Sequence, residues 1–495
     1  MNRKPFSHSP GKTSFVMMFI MLLAACTPTP ENERHSDALP PMYPDYTDIW
    51  VPCNIAPLNF MLRNDAEAIQ LVATQGEEQI QVNERGAEIC FDIDEWHEFI
   101  HHAAGKTVDV IVTALKDGQW TAYKPFQWHV TNDSIDPYLT YRLIEPDYEI
   151  YQNLSLQERC IENFDERSIS NYGLTGNRCM NCHTYANQRP DLSMFYIRGE
   201  GGGAILNRNG QLSKLNIKAG DMVSGSVYFG FSPTGKYITF SSNVIIPAFH
   251  AKPNKRLEVF DSKSDVYVAD MTTNTIIKHP LLSDSLRYET FPTFSPDGKY
   301  IYFCSAPPTR LPEGLEEMRY SLCRISFDEQ TGAIGTEIDT LFNGPAQGLS
   351  VCHPRISPDG QHLVFSVANY GTFPIWHPEA DLYMLHLTTG VIDKMEIVNS
   401  EKSDTYHSWS SNSRWLVFAS KRDDGLYGKP YFCYIDEDGQ CHKPFVLPQE
   451  KPHFYDFNLK SFNAPELGCG KLPFTAADAQ QALQGEGIDF HISQK

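Results

Sequence analysis

Two short stretches of this sequence combine residue types and spacing that could do chemistry. The first is Cys179-Met180-Asn181-Cys182-His183. Two thiols three residues apart can form thioethers to the two vinyl groups of a porphyrin, and the adjacent imidazole can ligate the iron, so CxxCH is the attachment pattern of c-type haem. With 12 cysteines and 17 histidines in 495 residues, chance supplies only about 0.01 such matches. The readings that compete are a Cys179–Cys182 redox disulfide and a zinc site. A thioredoxin-like motif needs a βαβ setting that is absent here, and tetrahedral zinc wants a second ligand pair at regular spacing. The expectation is therefore one covalent haem c, with Cys179 and Cys182 as its thioether residues and His183 as the proximal iron ligand. Met194, His250, His353 and His407 are candidates for the sixth position.

The second stretch is His97-Glu98-Phe99-Ile100-His101, which matches HExxH, the zinc and general-base pattern of metalloproteases. Chance gives about 0.03 matches. Its surroundings argue against protease chemistry: Ala104 and Thr107 stand where a metzincin needs Gly and His, and residues 107–130 contain no Glu. Trp96, Phe99 and Ile100 at helical spacing predict a short helix capping a core, with the histidines on its wet side. No catalytic residue is assigned.

These motifs must be positioned by what flanks them. Arg3, Lys4 and Lys12 precede the apolar run Phe15–Ala25, which is too short for a membrane span but fits a secretory signal. It ends in LLAAC, the pattern in which Cys26 becomes a lipid-modified N-terminus. Export to an oxidising compartment agrees with CxxCH, because c-type haem is attached only outside the cytoplasm. Residues 27–45 carry prolines and charges without an apolar period and read as a tether. Runs such as IQLVA (69–73), VDVIVTAL (108–115) and YKPFQWHV (123–130) alternate at the short spacing of a β-sandwich.

The C-terminal half repeats. FSPTGKYITFSS begins at Phe231, FSPDGKYIYFCS at Phe294, ISPDGQHLVFSV at Ile356, and a degenerate WSSNSRWLVFAS at Trp409. Each is strand, turn, strand, with Pro presetting one turn dihedral and Gly taking the positive one. A second hairpin follows each, and four strands per repeat make a β-propeller blade. The outer strands at 194–216 lack an inner partner, for which 453–462 is a candidate, so five blades are expected, with six as the alternative.

The repeats resemble the TolB-type propeller. The wider layout resembles a family of bacterial outer-membrane-directed lipoproteins, loosely labelled TolB-like or cytochrome c biosynthesis proteins, through DPYLTYRLIEPDYEIY (136–151), ENFDERSI (162–169), NRCMNCHTY (177–185) and MFYIRGEGGG (194–203). The resemblance implies an all-β chain: signal segment 1–25, tether 26–45, immunoglobulin-like β-sandwich 46–131, loop-rich haem segment 132–190, propeller 191–465 and C-terminal tail 466–495. The expected role is electron transfer or redox sensing, with a protein docking on the propeller and a lipid anchor at Cys26 in the periplasm or outer membrane of a Gram-negative bacterium. The alternative is a non-catalytic binding scaffold with Cys179 and Cys182 closed as a disulfide. A formal charge of −20 and no basic patch exclude a nucleic-acid binder. No G-x-S-x-G domain follows the propeller, and the run Gly199–Gly203 lacks the P-loop lysine, so serine peptidase and nucleotide chemistry are not expected. Of the other cysteines, Cys433 with Cys441, Cys304 with Cys323 and Cys53 with Cys90 are candidate disulfide pairs.

Overall fold

A computed structural model describes residues 28–146, 153–253 and 255–493; Cys26 and the signal segment lie outside these residues. No helix among the described residues is long and apolar enough to cross a membrane. The chain is almost wholly β-structure because its strands alternate apolar and polar residues at period two. In Thr107–Lys116, for example, Val108, Val110 and Val112 are buried while Thr107, Asp109 and Ile111 face outward.

The N-terminal part forms a seven-stranded and a three-stranded sheet around a common core. Two of its strand pairs are parallel, a departure from the antiparallel immunoglobulin pattern. Strands Arg34–His35 and Met42–Tyr43 belong to these sheets, so the expected tether to residue 45 is corrected: the fold begins inside it. The HExxH stretch lies on α1 (Ile93–His102), whose N-cap Asp92 accepts hydrogen bonds from the amides of Asp94 and Glu95 at 3.0 and 3.1 Å. As its periodicity requires, α1 buries Trp96, Phe99 and Ile100.

Six further sheets of four or five strands follow. Their innermost strands, in chain order, are β1 (Met180–Ala186), β2 (Ser226–Phe231), β3 (Tyr288–Phe294), β4 (Ser350–Ile356), β5 (Asp404–Trp409) and β6 (Ser461–Gly468). Each packs beside the next and β6 packs beside β1, so the ring closes on itself. Closure differs from expectation. The strand that returns from the C-terminus is 461–468 rather than 453–462, and its partner is Tyr138–Ile144. The outer strands at 189–216 have their own inner strand, β1, which carries the CxxCH motif. Segment 132–190 is therefore not a loop-rich insert, because it supplies three strands of one sheet and the inner strand of another. Nor is the end of the chain a free tail: Ile488–Asp489 and His491–Ile492 add parallel edge strands to two sheets.

The repeated turns explain the repeated serine. In each, a serine hydroxyl accepts the amide of the residue five positions on: Ser232 from Tyr237, Ser295 from Tyr300, Ser357 from His362 and Ser410 from Trp415, at 2.9–3.0 Å. The glycine position has φ of 70–72° in the first three turns, and Ser413 takes 62° in the fourth.

Candidate functional site at the propeller axis

All six innermost strands are interrupted at the same place. Each has a register irregularity there, and each places one non-glycine residue at positive φ: Cys182, Tyr228, Phe291, His353, Tyr406 and Ala464, all between 49 and 54°. Such a β-bulge adds a residue to one strand and re-aims the side chains around it. A left-handed non-glycine residue costs on the order of 1–3 kcal/mol, and strain of this kind collects where a site needs it. Here five of the six bulge residues line one cavity of ≈ 200 Å³ at the axis, and Phe291 packs on two of them.

Cys179, Cys182 and His183 all line that cavity. The cysteines are free thiols, as are all eleven described cysteines. Burial raises the Cys182 thiol pKa above its ordinary value. His183 is 9% exposed, and its Nε2 has no hydrogen-bond partner among the described residues. Burial first, then the nearby Arg142 guanidinium, pushes its pKa down to about 4. The ring is thus neutral at pH 7, the form that ligates a metal.

Two of the four candidates for a second axial ligand reach the same cavity. His353 on β4 is partly buried, and both of its ring nitrogens are shielded from solvent with no partner among the described residues. Its ring lies 4.2 Å from Phe291, 4.5 Å from Tyr406 and 6.3 Å from Tyr228, centroid to centroid. Burial, with smaller contributions from His407 and Arg355, drives its pKa well below the ordinary value. His407 on β5 holds the Val364 carbonyl through Nε2 at 2.8 Å, so that nitrogen carries the proton. Burial pushes its pKa down to about 3. In the ring β4 is three strands from β1 in either direction and β5 is two, so His353 reaches the cavity from the strand opposite the one that bears His183, and His407 from one strand nearer. Met194 instead packs in the core between two sheets, 1% exposed. The side chain of His250 lies outside the described residues.

The rest of the wall was not legible in the sequence. One side is apolar, from Ile245, Pro247, Phe249, Leu257 and Val259. These belong to two 16-residue strands, Tyr237–Lys252 and Lys255–Asp270, that overrun the sheet and bound the mouth of the cavity. Arg142, Arg198 and Arg355 contribute three cations. A covalently tethered porphyrin calls for a pair of thiols, an imidazole beside them, apolar surface for its faces and cations for its propionates, and the residues present fit that list.

The other motif stays apart. His97 Nε2 lies 2.7 Å from the Glu162 carbonyl oxygen. No group of three or more His, Cys, Asp or Glu among the described residues is placed to hold a metal ion. Haem iron, held by its porphyrin, takes only one or two protein ligands and needs no such group. The Cys304–Cys323 pairing fails on register: Cys304 sits opposite Leu322 and Cys323 opposite Phe303, so the two thiols point to opposite faces.

No protein-family profile matches the chain, and no curated protein matches it. Among solved structures, it is similar to oligogalacturonate lyase in complex with manganese, with 13% identity, 62% of this chain and 72% of that one covered, and a TM-score of 0.34. It is similar to prolyl oligopeptidase B from Galerina marginata at 10% identity, covering 80% of this chain and 55% of that one, with a TM-score of 0.35; the chain thus spans about half the length of that enzyme. The β-propeller domain of the Trilobed protease from Pyrococcus furiosus matches at 9% identity over 68% of this chain and 81% of that one, with a TM-score of 0.27.

Proposed function

We propose that this protein is an exported lipoprotein, anchored through Cys26, that carries one covalent c-type haem on Cys179 and Cys182. His183 and His353 are the residues that would hold its iron. The observation that carries this reading is the convergence on one cavity of two thiols and two imidazoles with shielded, unpartnered nitrogens, Nε2 of His183 and both ring nitrogens of His353. When bound, the haem supplies a one-electron iron couple, which suits electron transfer or redox sensing. The chain's own residues do the rest. The bulges at Cys182 and His353 aim ligands at the axis, Arg142, Arg198 and Arg355 balance anionic propionates, and the apolar hairpin wall keeps water off one side. A porphyrin exceeds ≈ 200 Å³, so in this reading it also occupies the mouth beside the hairpin. The propeller rim is left for a docking protein.

The test is to purify the mature protein from a host with haem-attachment machinery and record its visible spectrum and peroxidase stain after denaturing electrophoresis. A Soret band and a stain that survives denaturation are expected. Cys182→Ala should lose most of the stain. His353→Ala should keep it while the spectrum changes from six-coordinate low-spin to five-coordinate high-spin. Absence of both band and stain in the parent protein overturns the haem; an unchanged spectrum in His353→Ala overturns the second ligand alone.

A further inference from the structure

A second pocket, of ≈ 290 Å³, shares no lining residue with the axial cavity. It is lined by five cations, Lys252, Lys255, Arg256, Lys402 and Lys421, and by no Asp or Glu, in a chain whose formal charge is −20. Two of its groups are buried donors without acceptors. Lys421 is 2% exposed, and its Nζ has no hydrogen-bond partner among the described residues. Trp376, 7% exposed, has no acceptor for its indole N–H. The ammonium lies 2.9 Å from the centroid of the Trp376 ring. That cation–π contact is weaker than the cost of desolvating a lysine, and burial lowers the Lys421 pKa well below its ordinary value, so the ammonium needs an anionic partner to hold its charge there. Some of the other cations are already engaged: Lys255 holds Glu379, His377 and Tyr370 at 3.0 Å, and Lys252 pairs with Glu316 at 2.6 Å. Lys402 and Lys421 make no ion pair among the described residues.

Buried donors are almost always satisfied in folded proteins, and donors that converge with this much positive charge define an acceptor-rich, anionic complement. We propose that this pocket binds the tetrahedral oxyanion of a small ligand, a phosphate or sulfate group, with Lys421 and the Trp376 N–H as its buried contacts and Lys402 at the rim. Lysines serve such ligands as point charges around tetrahedral oxygens. Ile375, Pro378 and Leu426 line the same pocket, whose volume leaves room for an organic body attached to the anion. The proposal stands independently of the haem.

Binding is measured on the full mature chain, by calorimetric titration and thermal shift, with inorganic phosphate, inorganic sulfate and acetate at constant ionic strength. Saturable binding of phosphate or sulfate is expected, and whichever binds tighter identifies the ester class. Lys421→Met keeps the length of the side chain and removes a buried unpaired charge, so it should fold. It should weaken binding at least tenfold, and the surface change Lys402→Ala should weaken it about threefold. An unsaturable response equal in parent and Lys421→Met is a general salt effect and overturns the site. Acetate binding as tightly as phosphate or sulfate overturns the assigned ligand class.

Discussion

Asp261 is a carboxylic acid sealed inside the propeller, 3% exposed, with the Tyr320 hydroxyl 3.5 Å from its Oδ2. Burial pushes its pKa up to about 7, and does the same to Glu289, up to about 8. The sign of the consequence follows from linkage. Between the ordinary carboxylate pKa and the raised value, the native state holds a proton that the unfolded chain has lost. Stability therefore falls as pH rises through that window, and below the ordinary carboxylate range the effect vanishes. One proton of difference corresponds to about 1.4 kcal/mol per pH unit. Asp261→Asn keeps the shape and removes the titration, so it should take about that much from the slope of unfolding free energy between pH 5 and 7. The variant should be the more stable protein at pH 8. Urea denaturation at several pH values checks this, and parallel parent and variant curves would contradict it.

At the scale of elements, the repeats were readable because Pro-Asp-Gly turns announce themselves, and the inner strand β1 and the sheet built on β6 were not because their turns do not. The strand carrying CxxCH leads into the next through Asn187 and Gln188, both at positive φ (51 and 57°). That two-residue turn has the backbone of an Asn-Gly hairpin but not its sequence. The cavity wall was hidden for a similar reason, since bulges at Tyr228, His353 and Tyr406 reverse the alternation that marks which face a residue occupies. CxxCH itself was visible as a local spacing, while Arg142, Arg198 and Arg355 come from three segments distant in sequence. The degenerate fourth turn shows how a weak signal is retained. Ser413 sits in the glycine conformation at φ 62°, and its hydroxyl accepts the Asp359 amide from the neighbouring sheet at 3.0 Å. Ser413→Ala keeps the strain and loses the bond, so it should cost about 1–2 kcal/mol. Ser413→Gly loses the bond but relieves the strain and should fall within about 1 kcal/mol of the parent. Thermal unfolding of the two variants separates them, and equal losses would show that backbone strain at this turn is negligible.

Across the whole molecule, the N-terminal sheets and the propeller are not separate bodies. One hydrophobic cluster runs from Ile49, Trp96 and Trp128 in the N-terminal part to Trp415, Phe432 and Phe445 in the sheet built on β5. Polar contacts lock the same junction. The Trp415 indole donates to the Asp133 carbonyl at 2.9 Å, and the Tyr434 hydroxyl donates to the Asp133 carboxylate at 2.6 Å. Ser411 donates its amide and hydroxyl to Asp136 at 2.7 and 2.6 Å. Trp50 stacks on Tyr434 with ring centroids 5.3 Å apart. Elements that share a buried core cannot expose it one at a time without losing the apolar contacts of both, so they unfold together. Calorimetry of the chain should give a single transition. Tyr434→Phe, which leaves the Asp133 carboxylate without its hydroxyl partner, should move that whole transition down by about 1 kcal/mol of stability rather than split it. A chain lacking residues 28–131 exposes Trp415, Tyr434 and Phe445 together and should aggregate instead of yielding a free propeller. Two resolved transitions in the parent, or a soluble monomeric propeller from the truncation, would show that the shared core is not what holds the two parts together.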